Sequence, residues 1–185
     1  MFSFLPNWNG IHPLIVHFPI VMVLIAPVFV VFAVILRRHA RVLAACALAL
    51  MIAGTIGAVL AVLSGEAGAE LAERVPGAEP VLERHEELAE TTRTMLIGVT
   101  IVYALIVAAP SVFKKLLNPV PSITLNSAFL LLYLVAVVFL VNTAHQGGVL
   151  VHTYGAHAML GPGAQQGQAA GYEAGEEHEE DEDRE

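Results

Sequence analysis

Four long apolar runs constrain this chain more than any other feature of its sequence. They predict membrane spans at residues 11–36, 42–63, 92–114 and 122–143. A helix needs about 20 apolar residues to cross the hydrocarbon core of a bilayer, and uninterrupted runs of this length lack the alternation of a membrane barrel. With 56% hydrophobic and only 14% charged residues, the sequence predicts an all-α integral membrane bundle of four transmembrane helices within residues 1–160.

The Lys and Arg residues between the runs predict the orientation. Arg37–Arg41 separates the first two runs, and Lys114–Lys115 separates the last two. Neither segment contains an acidic residue. With four spans these segments share one side of the membrane, and the positive-inside rule makes that side cytoplasmic. The segment Ser64–Thr94 and both termini are then predicted to be external.

All 17 acidic residues lie in two blocks that both fall on the predicted external side. The first block, Glu66–Glu90, is split by Pro76–Gly77. After this break, apolar residues recur at helical spacing on one face and charged residues fall on the other. The third helix is therefore predicted to begin near Pro80, as an amphipathic external extension. The second block closes Gly161–Glu185, whose composition predicts a disordered acidic tail.

Small residues and prolines mark the packing of the first two helices. Ala49, Ala53, Gly57 and Ala61 recur at every fourth position, which either lets two helix backbones approach closely or is simply helix-forming filler. Pro19 and Pro27 are predicted to kink the first helix, with neighbouring helices satisfying the carbonyl groups that each proline frees.

Six of the eight histidines gather at the predicted external end of the bundle. His39 lies in the first cytoplasmic segment and His178 in the tail, and both are expected to be solvated. The six are His12, His17, His85, His145, His152 and His157. Imidazole is the common neutral ligand of haem iron, copper and zinc, and ionisable groups at membrane depth are candidates for function. Either two or more share a metal or haem, or each only forms hydrogen bonds.

The sequence argues against several other classes of protein. A single cysteine, Cys46, excludes an internal disulfide framework, a Cys-x-x-Cys pair and a Cys-x-x-Cys-His site for covalent haem. The chain has no nucleotide-binding loop, no Ser-His-Asp arrangement and no paired carboxylates within a span. We therefore expect an electron carrier or a subunit of a larger assembly, rather than a stand-alone enzyme or a nucleic-acid-binding protein.

Three segments resemble a known bacterial membrane family, catalogued as domain of unknown function 2231. They are His12–Ile20 (HPLIVHFPI), His85–Leu88 (HEEL) and Ala144–Val151 (AHQGGVLV). The resemblance covers about Asn9–Gly155. It implies a four-helix domain of the bacterial inner membrane, whose external side is the periplasm. Members of the family sometimes stand beside c-type cytochrome domains, which implies redox biology.

The leading hypothesis is a membrane-embedded b-type cytochrome that holds non-covalent haem b near the external face. Two histidines on different helices would be the axial ligands of an iron suited to electron transfer. We expect His17 to pair with His145, with His85 as a replacement or as the ligand of a second haem. His12 and His152 are further candidates. Electrons would come from a quinol-linked respiratory complex or a c-type cytochrome.

Two alternatives stay open at this point. In the first, the histidines bind or transport copper or zinc, with the external acids gathering cations. In the second, the chain is a structural subunit of a respiratory membrane complex, and the histidines only form hydrogen bonds.

Overall fold

The fold is all-α, as predicted. The computed structural model describes residues 11–73, 75–112 and 119–156. The helices are α1 (His12–Ile15), α2 (His17–Ile35), a short 3-10 helix (Arg37–His39), α3 (Ala40–Ala72), α4 (Glu79–Val112) and α5 (Pro119–His152). By length and composition, four segments are suited to cross a membrane: His12–Ile35, Arg37–Ala67, Glu79–Ser111 and Ser122–His152. The predicted tail, Gly161–Glu185, lies outside the described residues.

Consecutive spans run antiparallel, with α1 and α2 together forming the first span. His12, at the start of α1, lies beside Ala61 near the end of α3, and His85, near the start of α4, lies beside Thr143 near the end of α5. The rings of His12 and His85 are themselves neighbours. The first span and α4 therefore begin at the same end of the bundle, which we call the histidine end.

The interior and the outer surface are both apolar. The core centres on stacked rings, with Phe129 4.5 Å from Tyr103 and 5.7 Å from Tyr133 between ring centres. Outward-facing side chains include Leu105, which is 64% exposed, and Leu131, which is 71% exposed. An apolar surface around the whole bundle would be unfavourable in water and is favourable in lipid. The chain is a multi-pass membrane protein.

The two prolines act on the first span in different ways. Pro19 has no N–H for the carbonyl of Ile15, and the helix is interrupted between α1 and α2 at Val16. Pro27 lies inside the continuous helix α2 and leaves the carbonyl of Val23 without its usual partner. The hydroxyl of Tyr133 on α5 donates to that carbonyl at 3.0 Å. A neighbouring helix thus satisfies the carbonyl group freed by Pro27, as the sequence predicted.

Close packing of α2 against α3 depends on two glycines, Gly54 and Gly57. A Cβ added at Gly57 would lie 2.9 Å from Cδ1 of Phe18 and 3.1 Å from Cδ of Pro19. Of the predicted small-residue stripe, Gly57 and Ala61 are buried, whereas Ala49 is exposed. The stripe is therefore a packing surface only over its second half.

The turn before α4 and the end of α5 close the histidine end. Gly77 takes a φ of +74°, a backbone conformation that glycine adopts without strain. Helix α4 then begins at Glu79, which confirms the helical extension predicted near Pro80. Its inner face buries Leu82 and Leu88. A small apolar cluster forms there; its buried members are Ala78, Leu82 and Leu150, with Val75, Val81, Tyr154 and Ala156 packed around them.

Candidate functional site

His12 is the first residue of α1 and is held against α3. Its Nδ1 lies 2.8 Å from the carbonyl oxygen of Ala61 and 3.1 Å from Oγ of Ser64. Ser64 is fully buried, and its hydroxyl donates to the same Ala61 carbonyl at 2.9 Å. The edge of the imidazole also packs on Gly65, where a Cβ would lie only 3.1 Å from Cε1. Helix α3 thus fixes both the position and the plane of this ring.

His85 is held in the same way by α5. Its Nδ1 lies 3.0 Å from the carbonyl oxygen of Thr143. A Cβ at Gly147 would lie 3.1 Å from Cε1 of the imidazole. The Thr143 side chain hydrogen-bonds to Thr92 on α4 at 2.9 Å, which ties the two helices together beside the histidine. His85 is therefore positioned by its own helical hairpin.

The two imidazoles are neighbours inside the histidine end, in an edge-type contact. Their ring centres are 6.3 Å apart, and the ring planes are nearly perpendicular, at 86°. Both side chains are half-buried. Two ionisable rings held this close at the end of an apolar bundle form the most distinctive polar feature that the described helices share.

Hydrogen bonding fixes the same tautomer on both rings. A carbonyl oxygen can only accept, so Nδ1 of His12 and Nδ1 of His85 must each carry a proton. In a neutral imidazole this leaves the lone pair on Nε2. Neither Nε2 has a hydrogen-bond partner among the described residues. Every fully buried side-chain nitrogen or oxygen in that part of the chain does have a partner, so the two Nε2 atoms are not fully buried. Each Nε2 is therefore accessible, with its lone pair directed by a fixed ring.

The histidines that we expected to pair, His17 and His145, are both exposed. Nδ1 of His17 donates to the carbonyl of Pro13 in α1, four residues earlier, at 2.6 Å. No described hydrogen bond or ring contact joins His17 to His145. His152 is exposed at the end of α5. His157 and His178 lie outside the residues that the structure describes.

The pair has two imidazoles and few other ligands nearby. Over residues 11–73, 75–112 and 119–156, no group of three or more His, Cys, Asp or Glu side chains is arranged to hold a metal ion. Cys46 is exposed near the opposite end of α3. The arrangement thus offers two neutral nitrogen ligands, and this limits which metals it suits.

Several residues that position the two imidazoles could not be recognised from the sequence. The acceptors of Ala61 and Thr143 are backbone carbonyls, which every residue has. The only sequence signal of Gly147 is its position within the AHQGGVLV segment. Gly65 lies in none of the three segments of the resemblance, although its position before Glu66 marks where the apolar run of α3 ends.

Comparison with known proteins gives one result for the family and none for individual relatives. No curated protein and no solved structure matches the chain. The family described as "Predicted membrane protein (DUF2231)" matches residues 9–159, which include α1 to α5 and both imidazoles of the pair. This match, over most of the chain, shows that the protein belongs to the DUF2231 family of predicted membrane proteins.

Proposed function

We propose that this chain is a membrane-bound electron-transfer protein of the b-type cytochrome kind, in which His12 and His85 are the axial ligands of haem iron. The observation that carries the proposal is the facing pair of imidazoles, each with Nδ1 bound to a carbonyl and Nε2 accessible. A hydrogen bond from the far ring nitrogen to a backbone carbonyl is the usual support of a metal-binding histidine. Here both members of the pair have it.

The spacing of the rings agrees with two imidazoles on opposite sides of one metal ion. With metal–nitrogen distances of about 2 Å, the ring centres in such an arrangement lie roughly 6 Å apart. The observed separation is 6.3 Å. Perpendicular ring planes are compatible with ligation on opposite sides, because each ring can rotate about its own metal–nitrogen bond.

The number of ligands favours haem over a bare metal ion. Zinc sites use three or four protein ligands, and Cu(II) bound by nitrogen and oxygen takes a square-planar or tetragonal set of about four ligands. Among the described residues, no third His, Cys, Asp or Glu side chain joins the two imidazoles in a group that could hold a metal ion. Haem iron already has four porphyrin nitrogens and needs only two axial ligands. Copper or zinc binding is therefore the second candidate, and the experiment below separates the two.

Electron transfer follows from the coordination. An iron with two imidazole ligands has no open position for oxygen, so the group would supply one-electron redox chemistry without oxygen activation. The chain's own residues hold the rings and surround them. The apolar cluster around Leu82 and Leu150 covers the histidine end, and a low dielectric raises the influence of nearby charges on a redox centre.

The orientation and the partner are also part of the proposal. The basic segment Arg37–Arg41 lies at the end opposite the pair of His12 and His85, and the positive-inside rule therefore supports a periplasmic position for that pair in a bacterial inner membrane. Exposed acids, including Glu66, Glu83 and Glu86, surround that end. This charge suits a basic protein such as a c-type cytochrome, because complementary charge steers association. A quinol is the alternative electron donor.

The test compares histidine variants purified from cells that make haem. We expect His12→Ala and His85→Ala to lose nearly all haem per polypeptide, whereas His17→Ala, His145→Ala and the opposite-end control His39→Ala keep it. Reduced-minus-oxidised spectra measure the haem, and mass spectrometry measures copper and zinc. Because His85→Met keeps an axial ligand, it should retain haem at a higher midpoint potential, which excludes simple misfolding.

Three outcomes would overturn the proposal. Wild-type protein that carries copper or zinc, lost in His12→Ala, would establish the bare-metal alternative. Haem that is lost in His17→Ala and His145→Ala but kept in His12→Ala would show that His17 and His145 hold the haem instead. Protein with neither haem nor metal would leave the imidazoles as purely structural groups.

A further inference from the structure

The two histidines are held by the same local arrangement, repeated in each half of the chain. The Nδ1 of His12 donates to the carbonyl of Ala61, and its ring packs on Gly65. The Nδ1 of His85 donates to the carbonyl of Thr143, and its ring packs on Gly147, again four residues later. In both halves, the Cβ-to-Cε1 distance at the glycine would be 3.1 Å.

The repeat extends through the first helix of each hairpin. His12 and His85 are 73 residues apart, and the same spacing relates the inward-facing positions of the first span to those of α4. Buried residues pair as Pro19 with Thr92, Val23 with Leu96, Ala26 with Val99, and Val30 with Tyr103. The carbonyls of Val23 and Leu96 also correspond, and each accepts a hydroxyl from the other hairpin, from Tyr133 and Thr55 respectively.

The second helix of each hairpin repeats with its own spacing. Ala61 and Thr143 are 82 residues apart, as are Gly65 and Gly147. Buried residues pair at this spacing as Ala47 with Phe129, Met51 with Tyr133, Gly54 with Ala136, and Ala58 with Leu140. Both helices of the hairpins thus share one register of buried positions, although few paired residues are identical.

The paired residues differ in size in one consistent direction. At seven of the eight buried pairs the second hairpin has the larger side chain, and in the eighth, Pro19 with Thr92, the two side chains are similar in size. Since a core is filled to constant density, bulky residues of one half can occupy the space that small residues of the other leave. The backbone arrangement is therefore nearly two-fold, while the side-chain filling is not.

We propose that the chain is built from two equivalent hairpins around one two-fold site, in which Gly65 and Gly147 are equivalent positioning residues for the facing imidazoles. In a helix the carbonyl of residue i already accepts the N–H of residue i+4. A side chain at i+4 would crowd the second lone pair of that carbonyl, and glycine leaves it open to an imidazole. Each glycine thereby lets its carbonyl hold the Nδ1 proton and directs Nε2 to the ligand.

The chain contains matched controls for this role. At Gly148, the immediate neighbour of Gly147, and at Gly98 in α4, an added Cβ would meet nothing within 4 Å. All four positions are within helices. An alanine therefore raises helix propensity at each of them, and only at Gly65 and Gly147 does it also press on an imidazole.

The experiment measures Gly65→Ala, Gly147→Ala, Gly148→Ala and Gly98→Ala in two ways. The first readout is haem affinity, which rests on the proposed function. Altered support of a metal ligand weakens binding by roughly 10- to 100-fold, and we expect a loss of this size for Gly65→Ala and Gly147→Ala. The controls should stay within about twofold. The second readout is nitrogen NMR of histidine-labelled protein without haem, in which wild type should show Nδ1-protonated rings for His12 and His85.

The NMR readout separates failure of this proposal from failure of the haem assignment. If wild type binds no haem but Gly65→Ala and Gly147→Ala change the tautomers of their own histidines, the positioning role stands without the cytochrome. Haem affinity and tautomers that stay at wild-type values in both variants would overturn the positioning role. An effect in only one half would overturn the equivalence of the hairpins.

Discussion

The hydrogen bond from Tyr133 to Val23 makes a quantitative prediction about the first span. Pro27 removes the N–H that would otherwise bond the carbonyl of Val23, and Tyr133 supplies the replacement donor at 3.0 Å. Tyr133 is only 1% exposed, so water cannot take its place. Tyr133→Phe should therefore leave a buried carbonyl with no partner while changing the packing very little.

The expected cost exceeds that of an average hydrogen bond in a membrane protein. Such bonds contribute about 0.6 kcal/mol on average, because the alternative states also find partners. An acceptor left unsatisfied in a buried site costs about 1–3 kcal/mol. We expect Tyr133→Phe to lower the free energy of unfolding by an amount in this second range. In a Pro27→Ala background the helix supplies its own N–H to Val23, and the same substitution should cost less than about 0.5 kcal/mol.

The assay is a double-mutant cycle by reversible unfolding in detergent, with Tyr103→Phe as the matched control. Tyr103 is also fully buried and contacts Phe129, but its hydroxyl makes only a long 3.4 Å bond to Asn126. A coupling energy of about 1–2 kcal/mol between positions 27 and 133 is expected. A coupling near zero, or an equal cost for the two tyrosine variants, would refute the reasoning.

Two further predictions follow from the packing and from the charges. Gly57→Ala should lower the free energy of unfolding by about 1–2 kcal/mol, because the overpacking cost of about 1–3 kcal/mol exceeds the gain in helix propensity. Gly98→Ala, where an added Cβ meets nothing, should raise the free energy of unfolding slightly. Equal effects of the two variants in detergent unfolding would contradict the close α2–α3 contact. Reporter fusions after Arg41 and near Gly77 should report opposite sides of the membrane, with Arg41 cytoplasmic, and a reversed result would move the histidine pair to the cytoplasmic face.

Much of the fold follows from the sequence because membrane physics leaves few choices. Runs of this length can only be helices or barrel strands, and the lack of alternation excludes strands. The start of α4 at Glu79 was also predictable, because Pro76–Gly77 cannot continue a helix and the following residues repeat with helical periodicity. The lengths of α3 and α5 were less predictable. Both continue well past the apolar runs, to Ala72 and His152, because helix ends depend on neighbours at the histidine end.

The sequence indicated which end of the bundle holds the candidate site but not which histidines meet there. The apolar run favours His17 over His12 as a ligand, because His17 lies deeper in it. Helix rotation, which depth does not reveal, directs His17 outward and His12 toward α3. The interruption at Val16 adds to this, since a break between the two histidines makes their relative direction unpredictable from spacing. His85 was recognisable, because it lies on the apolar stripe of a helix whose other face is charged.

The energetics of Gly65 and Gly147 argue that the imidazole pair serves more than stability. Glycine within a helix costs about 0.5–1 kcal/mol relative to alanine. Each glycine allows one imidazole–carbonyl bond, whose average contribution in a membrane protein is about 0.6 kcal/mol. The bonds thus do no better than offset the glycines that permit them, and the half-buried, unpaired Nε2 atoms add no stability. A bundle selected only for folding would gain helix propensity from alanine at both positions, whereas a ligand-binding site gains from two imidazoles whose tautomers are fixed. An added methyl group would lie 3.1 Å from the edge of a half-buried imidazole, which can turn away from it, whereas the ring of Pro19 beside Gly57 cannot. Gly65→Ala and Gly147→Ala should therefore change thermal stability little while they weaken the site, a separation that a purely structural role for the histidines does not produce.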